Sequence, residues 1–552
     1  MIQLGISAFY HDSAACIFKD GKLIGAVEEE RFTEIKHDSS FPTNSINWCL
    51  DQVKVNIGDV DQVCWYENPI EKEDRILKTF KKKWWKTFFL KRRYEKKSFK
   101  ESPFRILKEM GFRGDITFVP HHESHAAFSY FTSPYTDASI VTVDGVGEWE
   151  TITVSRATEG EIQKIFSINY PNSLGLFYST FTAYLGFKPN EGEYKMMGLA
   201  PFGDPNRYYP TLYKIFGGSK TIDIDQKYFS WGYSEKKMFN KKLFELLDLS
   251  PRLPGEEITQ KHKDLAAAVQ KTYEREFLKI VLTSKSFTDS NNLCLGGGCA
   301  YNGVANSKAY KFFNHIHIPF APSDAGSAIG AVLAINKKHI KVKPYLGYKA
   351  SKEEIQSSLK KYKDKIIVKN YTYSELVKIT AKAINKGKIV AWYQNEMEFG
   401  ARALGNRSIL ANPTIPEMRE KLNYVIKKRE GFRPFAPSVT IEKAKKYFDI
   451  KGEVPHMNQV VKAKTKELPA ATHVDGTCRV QTVSKMDNLL YYNLLKAIGK
   501  ETGHEVVLNT SFNLKDQTIT MTPCQALERF VYSDIDFLVI GNHFIYKKDE
   551  NN

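Results

Sequence analysis

Short apolar blocks rich in β-branched residues fill the first thirty positions: IQLGIS, AACIFK and LIGAVEEE, with polar FYHDS after the first and Asp20-Gly21 after the second. Blocks of this length bounded by turn residues predict strand, loop, strand, tight turn, strand. The order returns further on as SIVTVDG, GEWETITVSR, the turn Glu159-Gly160 and EIQKIFSI. A duplicated three-strand unit is therefore expected, and the loop holding His11 and Asp12 is the counterpart of the loop from Asp144 to Gly147.

Helical spacing marks other segments. Ala126, Ala127 and Phe128 suit a helix around PHHESHAAFSYF. Leu265, Val269, Tyr273, Phe277 and Ile280 form an apolar stripe, so a core helix is expected from about Lys263 to Leu282. The run from Asn190 to Asp204, NEGEYKMMGLAPFGD, reads as a polar, glycine-rich loop. From Asn336 to Ala350 the chain is basic, poor in apolar residues and broken by Pro344 and Gly347, which marks a domain boundary. Beyond it a helix from near Ser374 to Gly387, the strand IVAWYQ and the strand EVVLN predict a second α/β domain. The expected division is 1–345 and 346–552.

At 552 residues, 42% hydrophobic and 26% charged, the chain has the composition of a multidomain globular protein. Its N-terminal stretch has no basic leader and no window reaches the length of a membrane span, so a cytoplasmic location is expected. Seven scattered cysteines without a CxxC pair indicate neither a disulfide framework nor a zinc knuckle. The net charge of +17 raises nucleic acid as a partner, but its distribution argues otherwise: residues 72–100 hold thirteen Lys or Arg against three acids. That segment interleaves Trp84, Trp85, Phe88 and Phe89 with the cations, as a peripheral contact with an anionic or lipid-linked substrate would. A basic helical insertion is the plainer alternative, and no stable nucleic-acid partner is expected.

The candidate chemistry falls into two sets. His121 and His125, four apart on a helix, project from one face. Such a pair is common on polar helices without a metal. Asp144 at a strand end and Asp324 at the opening of a helix turn it into a candidate site for a divalent ion, with iron, manganese and zinc all allowed. Gly296, Gly297 and Gly298 run into a helix beginning near Asn302, which offers backbone N–H groups to a phosphate. Lys195 would add a cation.

The second set lies beyond residue 390. Glu398, Arg402, Arg407 and Ser408 are followed by Lys427, Lys428, Arg429 and Arg433, then His473, Asp475 and Arg479, then Asn509, Thr510, Ser511 and Asn513. Arginines among Phe, Leu and Pro need anionic partners. Bridges of Arg407 to Glu398 or Glu430 would account for one or two; the remainder indicate a polyphosphate or carboxylate ligand.

The motifs YHDSAA, EEERF, HHESHA, VDGVGEW, KMMGLAPFG, LGGGCAYN, PSDAGSAIGA, EFGARALGNRS, KKREGFRPFAPS, HVDGTCRVQ and NTSFN closely resemble the NodU/CmcH-type O-carbamoyltransferases. The resemblance implies an α/β chain with a duplicated actin-like ATPase domain (ASKHA), similar to the tRNA threonylcarbamoyl transferase. After it comes a C-terminal domain similar to the threonylcarbamoyl-adenylate synthase, that is, YrdC-like. It implies that carbamoyl phosphate and ATP, with Mg2+, give carbamoyl-adenylate and pyrophosphate, and that the carbamoyl group then passes to a hydroxyl of a sugar-like or natural-product acceptor. By matching motifs, Arg402, Lys427, Arg433, Arg479 and Ser511 would serve activation, and His121, His125, Asp144 and Asp324 would bind an iron-type metal. Gly296, Gly297, Gly298 and Asn302 would hold the adenylate, with Lys195 near its phosphate and Asp324 beside it. His11 is the candidate general base, and a homodimer is allowed. Ala401 stands where the family usually has proline, and Asp516-Gln517-Thr518 where it has Gly-Glu-Pro. The alternatives are a tRNA threonylcarbamoyl-type transferase, a non-catalytic ATP-binding scaffold and a sugar kinase.

Overall fold

In the computed structural model, which describes residues 1–80, 102–217, 221–231 and 237–548, the first three apolar blocks are β1 (Ile2–Ser7), β2 (Ala14–Lys19) and β3 (Lys22–Glu28). Asp20 and Gly21, at φ 52° and 74°, make the left-handed pair that a two-residue hairpin needs to follow strand twist. β4 (Gln62–Trp65) and β5 (Asp115–Phe118) add in parallel beyond β1, giving the order β3-β2-β1-β4-β5. The second copy comprises β6 (Asp137–Val143), β7 (Glu150–Thr158) and β8 (Glu161–Asn169), and its hairpin pair Glu159 and Gly160 sits at φ 53° and 89°. β9 (Asn292–Gly296) and β10 (His315–His317) complete the order β10-β9-β6-β7-β8 with the same strand senses. The repeat thus extends two strands beyond what the sequence pattern shows.

Each fifth strand leads into a helix of the same repeat position: His121–Phe131 after β5 and Asp324–Asn336 after β10. These helices pack backbone to backbone, because a Cβ at Gly330 would lie 1.9 Å from the Ser124 carbonyl oxygen. The core helix runs from Gln260 to Thr288, longer at both ends than its apolar stripe, and all five stripe residues are buried.

The run from Asn190 to Asp204 is not the expected loop. Glu193–Leu199 is a helix and Ala200–Phe202 a 3-10 turn, with Met196 and Leu199 buried. Two turns with two inward apolar side chains are too short for their period to stand out among polar neighbours.

The chain divides into two units: Met1–Glu29 with His37–Val342, and Glu30–Lys36 with Lys343–Asn552. The units part at 342/343 rather than at the expected 345/346, and the seven residues Glu30–Lys36 belong to the second unit. Arg31 donates to the Gly400 carbonyl at 3.0 Å, Arg529 donates to Glu34 at 2.8 Å, and Phe32 packs on Met397, Ile519 and Met521. Nothing in local periodicity signals such a crossing.

An eight-stranded mixed sheet centres the second unit. Its inner strand Val390–Tyr393 is covered on both faces: Ala391 and Tyr393 pack with Phe435 and Phe512, while Val390 and Trp392 pack with Leu376 and Tyr491. Of the basic segment 72–100, only its beginning is described, as the end of the helix Pro69–Phe80; residues 81–101 lie outside the described residues. No described helix is long and apolar enough to cross a membrane. The seven cysteines form no disulfide, and five of them are buried.

Candidate functional site

His121 opens its helix directly after Pro120, and no side chain of the preceding loop caps that end. Glu148 caps it from the β6–β7 loop, its two carboxylate oxygens accepting the His121 backbone N–H at 3.0 and 3.2 Å. A carboxylate at a helix N-terminus stabilises by about 1 kcal/mol and here fixes where the first turn begins. His121 and His125 then project together, with Nε2 atoms 3.1 Å apart.

Asp144, one residue past β6, brings Oδ2 to 2.9 Å from His125 Nε2 and 3.4 Å from His121 Nε2. Asp324, first residue of the equivalent helix, brings Oδ1 to 3.6 and 3.8 Å from the same nitrogens. The four residues are 2, 2, 8 and 3% exposed in sequence order. Burying two carboxylates requires matching positive charge. As it stands the imidazoles supply it: burial works against His121, but Asp144 and Asp324 lift its pKa to about 9, and the His pair in turn draws Asp144 well below the usual range against the effect of burial.

The donor set fits a divalent ion. Two imidazole nitrogens and two carboxylate oxygens lie within 4.8 Å of one another, and neutral imidazoles with two carboxylates balance a charge of two. Asp324 Oδ2 is buried without a hydrogen bond, as is His121 Nδ1. Outer contacts orient the ligands: Ser327 Oγ is 3.0 Å from His125 Nδ1, and the Gly298 N–H donates to Asp144 Oδ2 at 3.2 Å. His122 turns away, with Nδ1 2.6 Å from Thr142 Oγ1 and Nε2 3.0 Å from the Glu150 carbonyl; burial and the two neighbouring imidazoles hold it neutral.

Three other candidates are placed differently from the expectation. Asn302 caps its own short helix, accepting from the Ala305 N–H at 3.1 Å, and pairs amide to amide with Gln270, so its side chain is engaged inside the protein. Lys195 lies on a helix, its Nζ 5.8 Å from the centre of the Phe187 ring. His11 faces two acceptors, with Nδ1 2.8 Å from Asp12 Oδ2 and Nε2 2.7 Å from the Asn190 carbonyl. Burial would lower its pKa, but Asp12 raises it to about 10. With acceptors at both ring nitrogens the candidate general base is held as an imidazolium while Asn190 occupies Nε2.

In the second unit Lys427 follows a π-helical turn, Lys421–Ile426, of the kind that recurs at functional sites. Its Nζ is buried and donates to the Ser511 carbonyl at 2.6 Å and to the Asn513 carbonyl and Oδ1 at 2.9 and 2.8 Å. Burial first, and then Arg429, Arg433, Lys36 and Arg529, depress its pKa well below the usual lysine value. Lys427, Ser511, Asn513 and Arg433 are thus one neighbourhood. Arg433 approaches Glu430 only at 3.5 Å. Arg402 stands half-buried in the loop after Gly400, and Arg479 half-buried at the end of Thr477–Arg479.

The alternative reading of Arg407, a bridge to Glu398 or Glu430, is not what forms. Arg407 is fully buried over the Tyr393 ring and donates to the carbonyls of Gln394, Asn395, Asn406 and Tyr348. Glu398 Oε1 instead accepts the backbone N–H groups of Leu404, Asn406 and Arg407. Both residues build the 398–407 turn. Ala401 is exposed on that turn, and Asp516 sits at φ 59°, a left-handed position that suits the glycine the family has there.

Sequence reasoning missed Glu148, Ser327, His37 and Lys36. Glu148 and Ser327 lie within VDGVGEW and PSDAGSAIGA, and Lys36 and His37 lie four and five residues past EEERF, but each has a role that depends on a partner distant in sequence.

Fold and site together define a mixed α/β enzyme with a buried His and Asp cluster in one unit and a buried basic cluster in the other. The chain belongs to the carbamoyltransferase family: the carbamoyltransferase N-terminus matches residues 2–333 and the carbamoyltransferase C-terminus residues 381–547. A Synechocystis protein of unassigned function is 37% identical over 99% of this chain and 96% of its own length. The nodulation protein NolNO of Sinorhizobium fredii is 32% identical over 98% of this chain and 80% of its own. The 3'-hydroxymethylcephem-O-carbamoyltransferase of Amycolatopsis lactamdurans is 32% identical over 42% of this chain and 44% of its own. Among solved structures, component A of the Acidaminococcus fermentans (R)-2-hydroxyglutaryl-CoA dehydratase aligns with 61% of this chain and 99% of its own at 13% identity and a TM-score of 0.34, too remote to carry an argument.

Proposed function

We propose that this carbamoyltransferase makes carbamoyl-adenylate in its second unit and transfers the carbamoyl group to an acceptor hydroxyl in its first. The observation that carries the reading is the cluster around Lys427: a buried Nζ held by neutral oxygens of Ser511 and Asn513, with Arg429, Arg433, Lys36 and Arg529 near enough to lower its pKa, suits a polyanion. ATP and carbamoyl phosphate repel each other, and cations that hold both reactants lower that barrier. Arg402, Arg433, Arg479 and Lys427 are assigned that task, with Ser511 at the strand end that Lys427 fastens. The balance takes up one water and releases phosphate as well as pyrophosphate: the carbamoyl oxygen bonds to the α-phosphorus of ATP as the bond to the β-phosphate breaks.

For the first unit, His121, His125, Asp144 and Asp324 would hold a divalent ion, Fe2+ in preference to manganese or zinc. When bound, the ion would supply positive charge next to the adenylate phosphate. The Gly296–Gly298 turn offers backbone N–H groups to that phosphate. His11 orients the acceptor hydroxyl; once the Asn190 carbonyl has left Nε2 and that N–H has released its proton to solvent, Nε2 accepts the hydroxyl proton. The paired five-stranded sheets support the actin-like assignment; the family resemblance alone supports the YrdC-like one.

The test is release of phosphate and pyrophosphate by the full-length protein. Release that needs both ATP and carbamoyl phosphate is expected. Pyrophosphate release indifferent to carbamoyl phosphate would overturn the reading. Salt-sensitive tRNA binding would favour the threonylcarbamoyl-type alternative.

A further inference from the structure

The β1–β2 loop is the counterpart of the loop that carries Asp144, and it too brings an aspartate against two histidines. Asp12 Oδ2 lies 2.8 Å from His11 Nδ1, and Asp12 Oδ1 lies 2.6 Å from His37 Nδ1. The two imidazoles stack, with centroids 4.6 Å apart and planes 28° from parallel. Backbone bonds fasten the two segments on either side: the Phe9 N–H donates to the Ser39 carbonyl at 2.9 Å and the Ser13 N–H to the Asp38 carbonyl at 2.8 Å. Asp12 and His37 are both in the left-handed region, at φ 49° and 54°. That conformation costs a non-glycine residue about 1 kcal/mol or more and persists only where the surroundings enforce it.

A carboxylate with one donor can swing about its Cβ–Cγ bond; with a donor on each oxygen it cannot. The His37 ring therefore fixes the plane of the Asp12 carboxylate, and that plane fixes the His11 ring through Nδ1. Ser323 Oγ adds a third contact to Asp12 Oδ2 at 3.4 Å, from the residue before Asp324.

We propose that His37 is a positioning residue for His11, acting through Asp12. The inference rests on the reading of His11 as the residue that meets the acceptor hydroxyl, but its test needs no turnover and no acceptor. The full-length protein would be labelled with ring-15N histidine, and the His11 signals identified by their loss in His11→Gln. Two slowly exchanging ring N–H signals are expected for His11 in the unsubstituted protein. His37→Ala should broaden or remove both. His37→Asn, whose amide N–H can occupy the place of Nδ1–H, should retain them, which a purely space-filling role for His37 would not produce. Should the alanine variant not fold, His37→Phe keeps the stacking, removes the donor and is expected to lose the signals in the same way. Unchanged His11 signals in His37→Ala or His37→Phe would overturn the proposal, and so would equal loss in the asparagine variant. Persistence of these outcomes alongside an inactive-site result for His11 would leave the positioning intact while removing its use in transfer.

Discussion

In the N-terminal unit the buried centre pairs Asp144 and Asp324 with two imidazoles; in the C-terminal unit buried Lys427 lies among Arg429, Arg433, Lys36 and Arg529. The first centre has carboxylates offset by the two histidines, and the second has a lysine held by the neutral oxygens of Ser511 and Asn513, among arginines of which Arg529 pairs with Glu34 and Arg433 approaches Glu430. On the proposed reading, each receives charge of the opposite sign: a cation in one unit and a polyanion in the other. The first centre lies within residues 2–333, matched by the carbamoyltransferase N-terminus, and Lys427 within residues 381–547, matched by the C-terminus.

The contrast can be broken from either side. The largest effect is expected from Asp324→Asn, which removes one donor and half of the buried negative charge: affinity for Fe2+ or Mn2+ should fall about 100-fold or more, as elemental analysis after dialysis would read. Retained metal would mean that the cluster is not the binding site. Lys427→Met leaves three oxygens at Ser511 and Asn513 without their donor, a loss of about 1.5–3 kcal/mol for each charge-assisted bond. Carbamoyl-phosphate-dependent pyrophosphate release should drop at least about 100-fold, while metal content remains that of the unsubstituted protein. A change in metal content with Lys427→Met would merge the two sites that the comparison separates.

Smaller effects sharpen it. Gly330→Ala forces a methyl group onto the Ser124 carbonyl, so the two donor-bearing helices must part. A loss of about 1–3 kcal/mol is expected in urea unfolding followed on the N-terminal unit. Ser327→Ala removes the contact to His125 Nδ1 and should weaken metal binding about 10-fold without unfolding the chain. The smallest effect concerns protons. Lys427 binds a proton less tightly in the folded state than in the unfolded chain, because burial and its cationic neighbours lower its pKa. A bound polyphosphate supplies negative charge and raises that pKa again, so at pH between the lowered value and the ordinary lysine value binding of ATP should take up protons. Calorimetry in buffers of different ionisation enthalpy would show this uptake, and Lys427→Met should abolish it.

Local pattern reveals what is built locally. Three strands and a hairpin in each repeat follow from apolar blocks and the pairs Asp20-Gly21 and Glu159-Gly160, and the spacing of His121 and His125 follows from the helical period. The convergence of Asp324 on those histidines is hinted at by its place at the start of the helix equivalent to theirs; Asp144, at a strand end, corresponds instead to the loop of His11 and Asp12. What stayed hidden depends on distant partners. Asn302 looks like a ligand residue until Gln270, 32 positions earlier, takes up its amide. Arg407 looks like half of an ion pair until four carbonyls surround it. Glu30–Lys36 reads as ordinary N-terminal chain although it completes the C-terminal unit. The short helix around Lys195 lacked the length for its period to register.

The most direct test of opposite-sign centres is anomalous diffraction from crystals of the full-length protein loaded with Fe2+. One ion in contact with His121, His125, Asp144 and Asp324 is the expected result. An iron-loaded crystal with no ion among these four residues, or with the ion bound elsewhere while His125 stays paired to Asp144, would contradict it.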